Sequence, residues 1–233
     1  EILLIYDHML PNPETYDGKP GDVAPQGGFD MFYRTFSRAL LLYGGYLADA
    51  GQSGDAREAY RWAFRFERAS EPTWGLTKYA NGAAAMIDQA QDALNAGDVA
   101  ETEQLYCDVL AIYTYLDSRV PETYLPNLAN AHAYLGMFAN NSLHSYEEAI
   151  EHHAAALNIR VHLAEKEPDK YRRLIAAGHI SLGIAYKNKG NLQQAADEYG
   201  AAAGIYRELY KVEPDAYRSD LTKTLVRLPG SLM

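Results

Sequence analysis

Leu182-Gly183-Ile184-Ala185-Tyr186, a Lys189-Gly190-Asn191 turn and Ala195-Ala196-Asp197-Glu198-Tyr199-Gly200-Ala201-Ala202 form the stretch whose reading decides the fold. Gly183 and Ala202 suit places where two antiparallel helices touch, while Leu182, Tyr186 and Tyr199 suit the seam between them. The hairpin matters because it recurs. Its turn falls at Gly51, Gly97, His144 and Gly190, in steps of 46, 47 and 46 residues. The first-helix glycine returns as Gly136, Gly183 and Gly230, two steps of 47. A boundary motif returns as Val120-Pro121-Glu122-Thr123-Tyr124, Glu167-Pro168-Asp169-Lys170-Tyr171 and Glu213-Pro214-Asp215-Ala216-Tyr217. Three independent landmarks sharing one period establish internal repetition.

The order Leu-Gly-x-x-Tyr, turn, Ala-x-x-x-Tyr-x-x-Ala resembles the tetratricopeptide repeat (TPR) signature, although the period exceeds the usual 34 residues by about 13. Each helix is lengthened by about two turns, roughly 10 Å, so its apolar stripe keeps its facing. Kinesin light chain and several bacterial regulatory proteins carry related long repeats. The resemblance implies an all-α, right-handed α-solenoid of about four antiparallel helix pairs plus a terminal capping helix, without β-sheet. The repeats run approximately over 30–71, 72–120, 121–167 and 168–213, with the terminal helix at 214–228. That last helix, with Leu221, Leu225 and Leu228 on one face, is either a cap or the opening of a fifth repeat.

Local signals agree with the period. Asp30 is placed to cap a helix whose stripe is Phe32, Phe36, Leu40 and Tyr43, and Ala56, Tyr60 and Ala63 occupy the second-helix signature. The second pair matches least, with Ala90 in the glycine place and Gln89 in the leucine place. Asp98/Glu101, Ser145/Glu148 and Asn191/Gln194 are spaced as capping boxes. Asp49, Asn95, Asn141 and Asn188 form a polar ladder. It reads mainly as helix stops ahead of left-handed glycines, and secondarily as a set that could hold peptide backbone. Residues 1–29, broken by Pro11, Pro13, Pro20 and Pro25 and by several glycines, read as an irregular arm.

Composition narrows the function classes. A formal net charge of −10 with no basic stripe argues against nucleic acid and against an anionic membrane surface. No run reaches the ~18 apolar residues of a membrane span. Cys107, the single cysteine, cannot close an internal disulfide. Starting at Glu1 rather than Met, the chain reads as a processed form or an excised fragment. The cytoplasm is slightly favoured, and an exported form after signal-peptide removal stays open.

Catalytic signals are weak. There is no phosphate loop, nucleophile elbow or zinc-protease motif. His144, Glu148 and His152 share one helix face by spacing, but His144 and His152 would stand roughly 12 Å apart along the axis, too far for one ion; His152 is expected on a solvated face. His132 and His179, each four residues before a landmark glycine, read as packing histidines. Tyr113 and Tyr206 fall in the helix extensions, either buried or as a sticky surface. No enzyme activity, metal or cofactor is expected.

In TPR proteins the concave face is built mainly from first helices, at places two, five, nine and twelve with the small residue as eight. The resemblance maps these to Arg38, Leu41, Gly45 and Ala48, then Ala84, Ile87, Gln91 and Leu94. The third repeat supplies Asn130, Ala133, Met137 and Asn140, and the fourth Ala177, Ile180, Ile184 and Lys187. The implied groove is apolar with scattered amides, centred near Ile87, Gln91, Ala133 and Met137. The basic and amide set with which chaperone-binding TPRs clamp a carboxylate terminus is not reproduced. The expected function is an interaction scaffold for a peptide or partner helix. The alternative is a regulatory or assembly segment of a larger protein or complex, and a stand-alone enzyme rests only on the weak His/Glu pattern. Oligomeric state is not legible.

Overall fold

The computed structural model describes residues 39–48, 50–68 and 76–228. Arg38, Asp49, Gly230, the N-terminal arm and the proposed Asp30 cap lie outside the described residues. All regular structure among the described residues is helical. The helices are α1 (39–48), α2 (Ser53–Arg68), α3 (Leu76–Ala96), α4 (Val99–Arg119), α5 (Leu125–Phe138), α6 (Tyr146–Ala164), α7 (Pro168–Lys189), α8 (Leu192–Val212) and α9 (Pro214–Val226). No described helix is long and apolar enough to cross a membrane.

The chain divides into two compact units, Glu1–Met86 and Ile87–Met233. In the first, α1 and α2 join through Leu47, Ala56 and Ala59. The Tyr60 ring lies against Gly44 on α1 and Gly82 on α3, and Tyr79 Oη donates to the Ala63 carbonyl at 2.9 Å. In the second unit each helix from α4 to α9 packs on the next in sequence order. This is the stacking of an all-α, solenoid-like repeat.

Three of the helix–helix turns share one backbone solution. Gly51, Gly97 and Gly190 take left-handed φ values of +75°, +78° and +90°. In each turn the next N–H reaches back five residues, as in Gln52 to Leu47 (2.8 Å), Asp98 to Ala93 (2.9 Å) and Asn191 to Tyr186 (2.8 Å). Those bonds satisfy carbonyls that a helix end leaves open. The fourth turn uses His144, also left-handed at φ 56° although it carries a Cβ. There Ser145 N reaches back six residues, to the Ala139 carbonyl, across a π-helical turn at Ala139–Leu143. The extra residue is the reason the steps are not uniform: Gly136 precedes its turn residue by eight places and Gly183 by seven.

Two of the three copies of the boundary motif start helices, whereas in the first copy residues 121–124 form a turn with Glu122 left-handed at φ 70°, and α5 begins at Leu125. Pro168 and Pro214 stand in the first turns of α7 and α9, where a missing N–H costs nothing, with Asp169 and Asp215 beside them at the positive end of the helix dipole. Of the three expected capping boxes, Asp98 accepts from Glu101 N at 3.0 Å. Ser145 and Asn191 start their helices without a side-chain bond, which corrects the reading of their spacing. The ladder's reading as helix stops holds at Asn95 and Asn188, ahead of left-handed Gly97 and Gly190; Asn188 Nδ2 also donates to Asn140 Oδ1 at 3.0 Å, tying α7 to the π turn.

Close contact is concentrated where glycine meets an aromatic ring. A Cβ on Gly183 would lie 2.5 Å from Tyr199 Cε1, and one on Gly136 would lie 2.7 Å from His153 Nδ1. Gly183→Leu is therefore expected to lower unfolding stability by about 3 kcal/mol or more. His144→Gly should raise it by about 1 kcal/mol by relieving the left-handed cost. Urea titrations followed by circular dichroism check both signs; a Gly183→Leu protein as stable as its parent would mean the seam does not close on this residue.

Candidate functional site

The second unit holds a groove of about 400 Å³ whose two walls are first helices of consecutive pairs. Ala133, Tyr134, Met137, Asn140 and Asn141 line it from α5 and the π turn, and Leu174, Ala177, Gly178, Ser181 and Ile184 from α7. The floor is α6, through His153, Ala156 and Arg160. These three recur at helical spacing, so they share one face. Because α6 runs antiparallel to α5, His153 comes opposite Gly136 while Arg160 Nη2 donates to Asn130 Oδ1 at 3.2 Å.

The lining is apolar at its rim and charged at its floor. Met137 and Leu174 are 39% and 38% exposed. Arg160 is 9% exposed and His153 6%. Burial pushes the Arg160 guanidinium down from its ordinary value. Burial likewise pushes the His153 imidazole down to about 4, helped by the positive charges of Arg160 and His152. His153 is thus a neutral ring at pH 7.

Expected groove residues divide accordingly. Ala133, Met137, Asn140, Ala177 and Ile184 are brought together here, with Asn130 bonded to the floor arginine. Ile180 is half-buried and Lys187 exposed, both outside the lining. Ile87, half-buried, and Gln91, exposed and bonded to Asn95, are likewise outside it. Leu41 is buried within the first unit. This groove lies between the third and fourth pairs, whereas the centre expected from the sequence lies between the second and third. His153 and Arg160 were missed because the mapping used first helices only. The signal that could have found His153 is the period itself, since it stands where Tyr60, Tyr106 and Tyr199 stand in the other pairs.

Of the helical face expected for His144, Glu148 and His152, the last two do meet, His152 Nε2 lying 4.0 Å from Glu148 Oε1, while the other expectations are corrected. His144 precedes α6 as the left-handed turn residue, and His152 is not on a solvated face. The one-residue π insertion turns His152 toward α5, where its Nδ1 lies 3.0 Å from His132 Nδ1. One ring supplies the proton of that bond and the other accepts it. His179 pairs with Glu198, Nδ1 to Oε2 at 2.7 Å. The Cys107 thiol is pushed up by burial first, then by Glu103, Asp108 and Glu148, the reverse of an activated thiol. Tyr113 and Tyr206 are buried, and the Tyr113 hydroxyl accepts from Asn127 at 3.3 Å.

No family model matches the chain, and no curated protein matches it. Among solved structures, BtubC (BKLC) from P. vanneervenii is similar at TM-score 0.50 and 22% identity, over 74% of this chain and 64% of that one. The apo form of RapI is similar at TM-score 0.48 and 19% identity, over 85% of this chain and 48% of that one. The chain spans part of the length of each, and the likeness to BtubC concerns the fold alone.

The depressed imidazole sets a pH dependence. As pH falls below the ordinary value of 6.5, the unfolded chain takes up a proton that folded His153 refuses until about pH 4. Stability is therefore full above about pH 7, falls through that window and levels off below it. Replacing the ring as His153→Tyr, the residue that faces glycine in the last pair, should remove about 2 kcal/mol of the loss between pH 7 and 4.5. Chemical denaturation of both proteins at the two pH values measures it.

Proposed function

We propose that the chain is an interaction scaffold of the tetratricopeptide type, binding an extended peptide or partner helix in the groove between α5 and α7. The observation that carries the reading is the groove itself. Two first helices present Ala133, Met137, Leu174, Ala177 and Ile184 on either side of a floor that is polar only at His153 and Arg160. An apolar trough with a few placed polar groups is the form that peptide-binding surfaces take. Met137 offers an adaptable thioether at the rim. In this reading the groove works by binding, since its imidazole, held near pKa 4, is a poor base at neutral pH. With a net charge of −10, the partner is protein rather than nucleic acid.

The test is retention of partners from native extract by immobilised protein, with Met137→Glu and Leu174→Glu as groove variants and Ile87→Glu as a variant outside the groove. Both groove side chains are exposed, so the fold should survive, as circular dichroism would verify. Each groove variant should weaken retention by about 2 kcal/mol or more, while Ile87→Glu should not. Undiminished retention by both folded groove variants would place the working surface elsewhere.

A further inference from the structure

The groove floor contains a cation for which the described residues supply no counter-charge. Arg160 Nη2 donates to an amide oxygen, Asn130 Oδ1, and Nε is enclosed without a hydrogen-bond partner. Among the described residues no carboxylate pairs with it. Several exposed cations of the second unit are paired: Lys166 with Glu122, Lys170 with Glu167 and Lys189 with Glu147. Those are exposed pairs that water could replace. Arg160 is nine-tenths buried, where an unpaired charge is most costly and a missing partner least replaceable. The other ionisable side chains lining the groove are the neutral His153 and the phenol Tyr134. Neither offers a negative charge at neutral pH.

We propose, building on the groove-binding reading, that the occupant is a peptide segment carrying an Asp or Glu side chain that pairs with Arg160, flanked on both sides by apolar residues. The flanking follows from helix geometry. Arg160 stands level with Asn130 on α5 and Gly178 on α7, where a Cβ on Gly178 would lie 3.9 Å from Arg160 Nη1. Leu174 lies one turn before that level, and Met137 and Ile184 lie about two turns beyond it. A segment running along the groove meets apolar surface before and after the arginine. That arrangement suits a side-chain carboxylate presented mid-segment better than a chain terminus. A Cβ on Gly178 would meet Leu157 Cδ1 first, at 3.2 Å, so the glycine lets α7 lie close over the floor beside the guanidinium. A buried guanidinium already held by Asn130 is pre-oriented, so the charged hydrogen bond forms with little further ordering.

The experiment selects random dodecapeptides displayed on phage against the full protein and resynthesises the enriched sequences with amidated C-termini. Enriched peptides should share an Asp or Glu between apolar residues and lose binding to Met137→Glu. Changing that acid to its amide should weaken binding to the wild-type protein by about tenfold or more, as expected for a charge-assisted bond in a buried place. Against Arg160→Met the acid and amide peptides should bind alike. This variant should keep its melting temperature, because an apolar side chain of similar size replaces an unpaired charge. The acid-to-amide comparison uses unaltered protein and stands even if Arg160→Met fails to fold. Peptides that bind in a Met137-dependent manner with no acidic preference, or only with a free C-terminus, would overturn the proposal and leave the groove-binding reading intact. Enrichment of no Met137-dependent peptide would overturn both.

Discussion

The contact on which this architecture depends is an aromatic ring laid against a glycine. In three pairs the second helix brings a ring to the place where the first helix has no side chain: Tyr60 at Gly44, His153 at Gly136 and Tyr199 at Gly183. A ring there makes dispersion contacts along the backbone of its neighbour, and adding even one carbon would force it out. In the remaining pair Tyr106 stands at the same step from Ala90, and both are buried. Long helices carry this contact near their turn, and the extensions are filled by Val109, Ile112, Tyr113 and Leu116 on α4 and by Ala203 and Tyr206 on α8. The pair geometry follows from where backbone can approach backbone, and the other core side chains fill the space that this leaves.

The third pair departs from the others, and that departure produces the site. Its π turn inserts one residue between the glycine and the left-handed turn. As a result a histidine takes the tyrosine place, and a second histidine, His152, meets His132 across the seam. The seam ring is then smaller than a tyrosine and polar. Asn140, in the π turn, accepts from Asn188 and donates to Asn141 at 2.7 Å, which secures the wall of the groove at that end. Such insertions into helices are frequent at functional sites because they re-aim side chains without unravelling the helix.

Electrostatics on the groove floor is a consequence of burial. Arg160 and His153 lie two turns apart on one face of α6, and the arginine's charge helps keep the imidazole neutral. The floor thus presents one cation and one neutral ring, with apolar wall on either side. The exposed ion pairs near the α4–α5 boundary, where Glu122 meets Lys166 and His162, are screened by water and contribute little. On the buried floor, where the effective dielectric is lower, a charge interacts more strongly than in these exposed pairs.

What the sequence determined by itself was whatever repeats. The period, the helical class, the turn positions, the Gly183–Tyr199 seam and the repeat boundaries are all local patterns copied several times, so each copy checks the others. His144 was even placed correctly at a turn, although it lacks the glycine that usually marks one. The tertiary structure decided what happens once. The π turn leaves no compositional mark in Ala139-Asn140-Asn141-Ser142-Leu143, yet it rotates the start of α6 and exchanges the surroundings of His152 and His153. The joining of Ala133 and Met137 with Leu174 and Ile184, and the burial of Arg160 with no carboxylate among the described residues, depend on how helices from neighbouring pairs meet. Residues so far apart along the chain acquire a common environment only through packing, which helical periodicity within either helix does not encode.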